Sequence, residues 1–588
     1  MRVTFNKKSY NTQAAADGSW EVALPAQKAG GAYTMRINGI TLNDIYVGDV
    51  WVCSGQSNME TPLSRLMDLY AGELAAAHNP QIRFIIQPHG YVPEAPQQEI
   101  TGGQWKAVTP ENIQPLSGVA YFFAKALFDA YKIPQGIIQS AVGGSPIEAW
   151  ISEDGLQPFP KYIHDIRRQV EQGRGGGRAA PQGGQFPRMN IPPDKGAGKW
   201  FLTDIDLSEW KPMDLPGYWA DKGLGTLNGV FWFRKNIRLP EEWAGREAVL
   251  RLGNITNSDS AWINGVFVGN TTYQYPPRIY KVPAGILKAG NNVIAVRVEN
   301  AYGRGGFVED KPFKLVAGGE DIDLAGKWQY RIGRLNPAFP PMPAGGGQMS
   351  MPSQAAGMYN AMIAPLIKFP VKGILWYQGE ANTGRAKEYA SLFPALVNDW
   401  RSKWNKPDMP FLYVQLPNFM TPDSYPPQES DWAELREVQR KALLQLPNVG
   451  MAVAIDAGEW NDIHPLNKKD VGNRLALLAR RLAFGEKNIA ASGPLYKEAR
   501  VRGDSLVISF TETGSGLAAG EPLLGFAISA DGKYFVWADA KIETGSTVVV
   551  WSDFIKNPTV VRYAWGDNPV NANLRNSEGL PASPFSTE

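Results

Sequence analysis

The residues most suited to chemistry lie in Val52-Cys53-Ser54-Gly55-Gln56-Ser57-Asn58-Met59-Glu60, where a mostly apolar stretch, 46–53, runs into a small-residue turn presenting a serine. A strand that ends in a tight turn lifts a hydroxyl to the rim of a sheet, where a base reaches it and backbone N–H groups face its substrate. Ser57 is therefore a candidate nucleophile. The same residues also suit a purely structural turn, since Gly, Ser and Asn supply unusual dihedrals and local hydrogen bonds. The α/β-hydrolase elbow places Gly two residues before and after its Ser. Here those positions hold Gly55 and Met59, so that motif is absent. Cys53 lies within the strand, where a thiol packs as a small hydrophobe, and is the less attractive nucleophile.

A nucleophilic serine near neutral pH needs a base, usually histidine. The chain has four histidines, so elimination is informative. His78 lies in Ala75-Ala76-Ala77-His78-Asn79-Pro80, a helix end where a cation complements the dipole. His89 precedes a glycine in a loop, and His164 lies among charges on a surface helix. His464 differs, because it sits in Ile455-Asp456-Ala457-Gly458-Glu459-Trp460-Asn461-Asp462-Ile463-His464-Pro465, just past the apolar run 449–455. The Asp462 carboxylate is close enough in sequence to accept from Nδ1–H and leave Nε2 facing a serine. A capping Asp and a surface His ahead of the helix near Asp470 is the structural alternative.

Two further loops follow apolar runs. Ser140-Ala141-Val142-Gly143-Gly144-Ser145-Pro146 precedes a helix, so its N–H groups could face an oxyanion. Trp376-Tyr377-Gln378-Gly379-Glu380-Ala381-Asn382 packs two amides and a carboxylate against aromatics, and a substrate pocket is one way to satisfy such a cluster.

These loops need a scaffold, and the chain alternates strands with helices. Strands are predicted at 136–140, 373–377, 411–416 and 449–455, and helices at 114–131, 386–404, 432–446 and 470–484. That order implies an α/β domain whose reactive loops gather at the carboxyl ends of a parallel sheet. Short strands at 3–5, 20–24 and 33–37 precede it. Strand-rich sequence also fills 195–318, with Asn264-Gly265 as a hairpin signal, and returns after 486. Gly/Pro-rich stretches at 172–199 and 337–347 read as surface connections. The expected domains are 1–45 (β), 46–194 (α/β, first part), 195–318 (inserted β-sandwich), 319–485 (α/β, second part) and 486–588 (β).

The 588-residue chain has 44% hydrophobic and 20% charged residues, an ordinary folded composition. Its 59 basic and 57 acidic residues give +2, which points neither to nucleic acid nor to an anionic membrane. A single cysteine excludes an internal disulfide framework and a cysteine-based zinc cluster, and no metal or cofactor is expected. No run of 18 apolar residues occurs. The 19 Trp and 22 Tyr fit either sugar-binding faces or β-sandwich cores.

Four blocks in order, Ser54-Gly55-Gln56-Ser57-Asn58-Met59, Gly143-Gly144-Ser145-Pro146-Ile147-Glu148-Ala149-Trp150, Trp376-Tyr377-Gln378-Gly379-Glu380-Ala381-Asn382 and Asp462-Ile463-His464-Pro465, resemble the sialate O-acetylesterase family of SGNH (GDSL-like) hydrolases. Asp399-Trp400-Arg401 and Gly579-Leu580-Pro581-Ala582-Ser583-Pro584-Phe585 extend the resemblance over nearly the whole chain. It implies a flavodoxin-like three-layer α/β/α parallel sheet. It also implies that Ser57 attacks an acetyl carbonyl with His464 as base and Asp462 as orienter. The oxyanion would be held by N–H groups of Ser57 and of Gly143 or Gly144, and by Gln378 or Asn382, with Gln378 favoured. The superfamily's Asp-x-x-His spacing is not kept, so Asp456 and Glu459 remain alternative orienters.

Glu380, Trp150 and Arg436 are the expected substrate contacts. The inserted region resembles the jelly-roll sugar-binding module found beside glycosidase domains, on Gly229-Val230-Phe231-Trp232-Phe233-Arg234-Lys235 and Ala261-Trp262-Ile263-Asn264-Gly265. The resemblance implies a carbohydrate O-acetylesterase. The substrate is an O-acetylated sialic acid, whose carboxylate would call for Arg436 or Arg401, or an acetylated hemicellulose such as xylan or xyloglucan. A carbohydrate-binding protein without catalysis is the alternative of another class. The expected partner is an acetylated carbohydrate, with no nucleic acid and no membrane. The expected compartment is periplasmic or extracellular, with an export signal absent from this chain and the cytoplasm as the alternative.

Overall fold

Strands buried on both faces read as near-continuous apolar runs, and such runs build the central sheet of the computed structural model. The structure describes residues 1–100, 102–174, 192–301, 303–336 and 354–588. They belong to two units, Met1–Gly177 with Ser350–Glu588, and Arg178–Met349. Most of the Gly/Pro-rich stretches at 172–199 and 337–347 lies outside the described residues.

In the first unit the sheet comprises β1 (Asp49–Gly55), β2 (Asn79–Ile86), β3 (Lys106–Val108), β4 (Gln135–Ala141), β5 (Gly373–Tyr377), β6 (Phe411–Val414) and β7 (Val449–Ala452). Their order is β7-β6-β5-β1-β4-β2-β3. Neighbours are parallel except β2 and β3. Side chains alternate between two cores. Val52, Ile138, Ile374, Trp376, Phe411 and Tyr413 enter one, with Tyr389, Leu392, Phe393 and Trp432 from helices. Trp51, Cys53, Ile137, Leu375, Leu412 and Val414 enter the other, with Val119, Phe123, Val471 and Leu475.

The helices that follow the strands of the site are α1 (Ser57–Glu60), α2 (Gly118–Tyr131), α3 (Ala386–Lys403), α4 (Asp431–Gln445) and α5 (Lys468–Leu482), and Met67–Ala75 and Pro160–Arg174 are helical as well. Helix α2 starts later than the apolar spacing suggests because Ser117 caps it, Oγ accepting from the Ala120 N–H at 3.2 Å. Strands β6 and β7 stop short of 416 and 455. The Leu416 N–H donates to Gln439 Oε1 at 3.0 Å instead of to a ladder partner.

Before the sheet, Arg2–Phe5, Lys8–Asn11, Gly30–Ile37 and Ile40–Val47 form a four-stranded sheet. The expected strand at 20–24 is absent, and Trp20 stays 37% exposed with no strand to pack it. The predicted strand 46–53 divides between Ile40–Val47 and β1. After α5, the strands Leu495–Arg502, Ser505–Thr511, Thr547–Trp551 and Asp539–Thr544 form one antiparallel sheet, and Val536–Trp537, Phe526–Ser529, Val560–Tyr563 and Phe585–Ser586 another. Their apolar faces join the core that holds α3 and α4.

The second unit pairs a six-stranded sheet with a four-stranded one around Phe231, Phe233, Leu250, Val296, Leu315 and Trp328. The insertion does not end at 318. Gly326–Leu335 pairs on one side with Gly229–Leu239 and on the other with Lys211–Leu215, and it buries Trp328 and Tyr330 in this core.

The turn after β1 depends on Gly55, whose φ is +131° and whose Cβ would lie 2.1 Å from the Tyr377 carbonyl oxygen. Gly55→Ala is expected to lower stability by more than about 2 kcal/mol, combining a left-handed strain with a backbone clash. Urea unfolding followed by tryptophan fluorescence checks this, and an unchanged midpoint contradicts it.

Candidate active site

Ser57 is the first residue of α1, at the carboxyl end of the central strand β1. Two strand neighbours hold the turn. The Gln56 N–H donates to the Tyr377 carbonyl at 3.0 Å, and Gln56 Oε1 accepts from the N–H groups of Gly379 (3.3 Å) and Ala381 (3.2 Å). On the other side, beyond β4, a Cβ at Gly143 would stand 3.4 Å from Ser57 Cβ. Ser57 is half-buried, with Gly143 and Gly144 exposed at the rim. The N–H groups of Ser57 and Gly144 have no acceptor among the described residues. That of Gly143 donates to Glu60 Oε2 at 2.8 Å, and Glu60 Oε1 pairs with His89 Nε2 at 2.7 Å.

The loop carrying His464 leaves the edge strand β7 and crosses the carboxyl ends of the sheet. Near β6 it is held by the Gly458 N–H donating to Asn418 Oδ1 at 2.9 Å. At β1 it is held by Asn58 Nδ2 donating to the Ile463 carbonyl at 2.9 Å. The residues beside His464 and Ser57 are thus directly bonded. The three carboxylates of this loop are separated by their partners. Asp456 is forked by Arg474 (2.6 and 2.8 Å), and Glu459 Oε1 accepts from the Leu466 N–H at 2.7 Å. Asp462 Oδ1 accepts from the His464 backbone N–H at 2.9 Å and lies 3.9 Å from Nδ1, while Oδ2 meets Arg65 at 3.2 Å.

Asn58 collects three loops on one amide. Besides Ile463, Nδ2 donates to Glu380 Oε1 at 2.5 Å, and Oδ1 accepts from Lys468 Nζ at 2.6 Å. Lys468 is fully buried, and burial followed by the Arg65 charge pulls its ammonium down to about 7. Burial raises Glu380. His464 is pulled down to about 3, first by burial and then by the positive charges of Arg65 and Lys468. The imidazole is neutral at ordinary pH, the form a general base requires.

The amides expected to face an oxyanion point elsewhere. Gln378 is 0% exposed, and its Nε2 donates to Asn382 Oδ1 (2.7 Å) and the Ser145 carbonyl (3.3 Å). Asn382 donates to Glu148 Oε2 at 3.2 Å and accepts from the Ile147 N–H at 3.0 Å. Both amides hold the 143–147 loop from behind.

Of the expected substrate contacts, Glu380 lies against Asn58 next to the serine, while Trp150 and Arg436 do not reach an open surface. The Trp150 ring is fully buried edge-on to Trp376, with Nε1 donating to Ser145 Oγ at 2.9 Å. Arg436 is fully buried, donating to the carbonyls of Leu416 (2.9 Å), Gly566 (2.7 Å), Pro417 (2.6 Å) and Asp567 (2.9 Å). A desolvated guanidinium must satisfy its N–H groups, so those donors are spent on backbone. Arg401 is likewise buried on the carbonyls of Met409 and Asn448. Sequence reasoning did not single out Asn58, Glu60, Arg65 or Lys468. Asn58 and Glu60 sit inside the serine block, and Lys468 follows His464 by four residues.

The family model of carbohydrate esterases described as sialic acid-specific acetylesterases matches residues 47–178 and 339–480. Sialate O-acetylesterase of Mus musculus is 23% identical over 99% of this chain and 85% of its own length. That of Rattus norvegicus is 32% identical over 40% of this chain and 47% of its own. The crystal structure of a carbohydrate acetylesterase from Xanthomonas citri is 29% identical, with TM-score 0.63 over 100% of this chain and 92% of that one. With both segments of its α/β unit inside the family model and likeness running the length of the chain, this protein belongs to the sialic acid-specific acetylesterase family of carbohydrate esterases.

Proposed function

We propose that the protein is a carbohydrate O-acetylesterase that works through a serine acetyl-enzyme. The observation that carries the reading is the bond from Asn58 to the Ile463 carbonyl, which ties the residue after Ser57 to the residue before His464. Ser57 Oγ attacks the acetyl carbonyl carbon while His464 Nε2 takes its proton. The tetrahedral intermediate collapses, and the sugar oxygen leaves with the proton returned by His464. Water, deprotonated by the same imidazole, then attacks the acetyl-enzyme and releases acetate. Asp462 orients and stabilises the imidazolium. The Ser57 and Gly144 N–H groups are the oxyanion donors, joined by that of Gly143 when the Glu60 carboxylate gives it up.

The arginines that a sialate carboxylate would call for, Arg401 and Arg436, are buried on backbone carbonyls. This favours a neutral acetylated glycan, such as a hemicellulose, over an acetylated sialic acid. The α/β unit reads as an SGNH-type three-layer domain and the insertion as a jelly roll. An acetylated carbohydrate is the partner, and the compartment that suits it is periplasmic or extracellular. Among the described residues no helix is long and apolar enough to cross a membrane.

Chelation, substitution and pH test this reading. p-Nitrophenyl acetate is expected to be hydrolysed in the presence of a chelator, and Ser57→Ala to lose about 10³-fold or more in kcat. Turnover at the wild-type rate in that variant sinks the assignment. Asp462→Asn is expected to lose about 10²-fold or more in kcat/KM, and an unchanged rate returns the orienting role to Glu459 or Asp456. Protonating His464 removes the base, so activity falls as pH drops through its pKa. With that value pulled to about 3, the acid limb of kcat/KM lies well below an ordinary imidazole. Arg65→Gln removes a cation that lowers it, so the limb is expected to move to higher pH. A limb near 6.5 in the parent protein contradicts the electrostatic reading.

A further inference from the structure

A cavity of about 270 Å³ opens where the chain after β6 meets the C-terminal sheets. Its size lies just under the range usual for small-molecule pockets, about 300–1,000 Å³, enough for a compact ligand. Two indoles line it. Trp537 is 45% exposed, and Trp565 is half-buried with no acceptor for Nε1–H among the described residues. Leu524, 40% exposed, adds apolar wall. Polar groups come from Asp423, Asn568 and Asn571. Flat aromatic surface edged by amides and a carboxylate complements a pyranose, which has an apolar C–H face and a rim of hydroxyls.

The local charge narrows the ligand. Asp423 has no ion-pair partner among the described residues, and desolvation and the neighbouring Asp567 hold its carboxyl above the ordinary range. The nearby cation, Arg562, stacks on the Trp565 ring at 4.8 Å. Its N–H groups are committed to Glu588 and to the carbonyls of Pro427 and Gln428. An acidic wall with no free cation among the described residues repels a carboxylated sugar and accepts hydroxyl donors. The pocket also connects to the reactive loop. Asn568 Oδ1 accepts from Asn418 Nδ2 at 2.8 Å, and Asn418 Oδ1 accepts from the Gly458 N–H at 2.9 Å.

We infer that this cavity is an accessory subsite for a neutral sugar residue of an oligosaccharide chain, separate from the ester-cleaving centre. The inference takes its ligand class from the carbohydrate-esterase reading. Its test uses the full chain with unacetylated cellotetraose and xylotetraose, and with sialyllactose, in calorimetric titrations. At least one neutral tetrasaccharide is expected to bind, and Trp537→Ala to weaken it by about tenfold or more. Hydrolysis of p-nitrophenyl acetate by that variant is expected to stay at the parent rate, which also reports its folding. Asn571→Trp, at an exposed lining position, is expected to block the cavity and abolish binding. Failure of both neutral probes to bind, binding indifferent to both substitutions, or a preference for sialyllactose overturns the inference. Binding without ester hydrolysis removes the esterase reading and leaves the subsite standing, whereas hydrolysis without binding removes the subsite alone.

Discussion

The side chain of Asn58 is the constraint on which the reactive centre depends. Its amide meets Glu380 from the β5 loop, the Ile463 carbonyl beside His464, and Lys468 at the start of α5. Each of those groups reaches the carboxyl edge of the sheet from a different part of the chain. A neutral amide suits the position because it donates to two oxygens and accepts from an ammonium at once, which neither a carboxylate nor a second cation does. Buried charge on either side of it is costly unless bonded, so the network has few alternative arrangements. The rigidity of the serine turn and the placement of the histidine loop therefore share one origin.

The outer ring of the site has a second anchor in Arg436. Its guanidinium spans the β6 exit and the C-terminal domain on four carbonyl bonds, with burial pulling it down to about 9. Gln415 Nε2 adds a bond to Ser583 Oγ at 3.0 Å. Asn418, between these contacts, is where the histidine loop is tied down. The C-terminal sheets thus brace the β6 exit, and the exit braces the loop. Truncating them would remove two of the four carbonyls that Arg436 bonds and leave guanidinium donors unpaired, a cost of the kind that unmakes a site rather than merely loosening it.

What sequence reveals here is the set of loops, because each follows an apolar run and carries small or polar residues at a strand end. The four main helices and the order of alternation were legible for the same reason. Direction of side chains was not. The family resemblance implies Gln378 or Asn382 as an oxyanion donor, yet both side chains are bonded beneath the 143–147 loop. Arg436 and Trp150 read as ligand contacts by residue type, and burial overrides type. The end of the insertion was missed because Gly326–Leu335 carries the same alternation as any strand, and only its pairing partners show which sheet it joins. Lys468 was invisible as a functional group, since a lysine at a helix start looks solvated until the surrounding chain closes over it.

The charges around His464 fit acyl transfer better than they fit a resting ion pair. Arg65 and Lys468 depress the imidazole, while Arg65 also binds the carboxylate that lies beside Nδ1. In the free protein the imidazole is thus neutral at ordinary pH, and as the proposed base it is intrinsically weak. In the proposed reaction, attack on an ester would change the balance, because the forming oxyanion would place a negative charge beside Ser57. That charge would offset the two cations and raise the basicity of the imidazole as the serine proton reaches it. Stabilisation thus grows along the reaction coordinate instead of being present in the ground state, which is the condition for catalysis rather than tighter binding. A permanently protonated histidine, locked to Asp462, would have had the opposite sequence of energies.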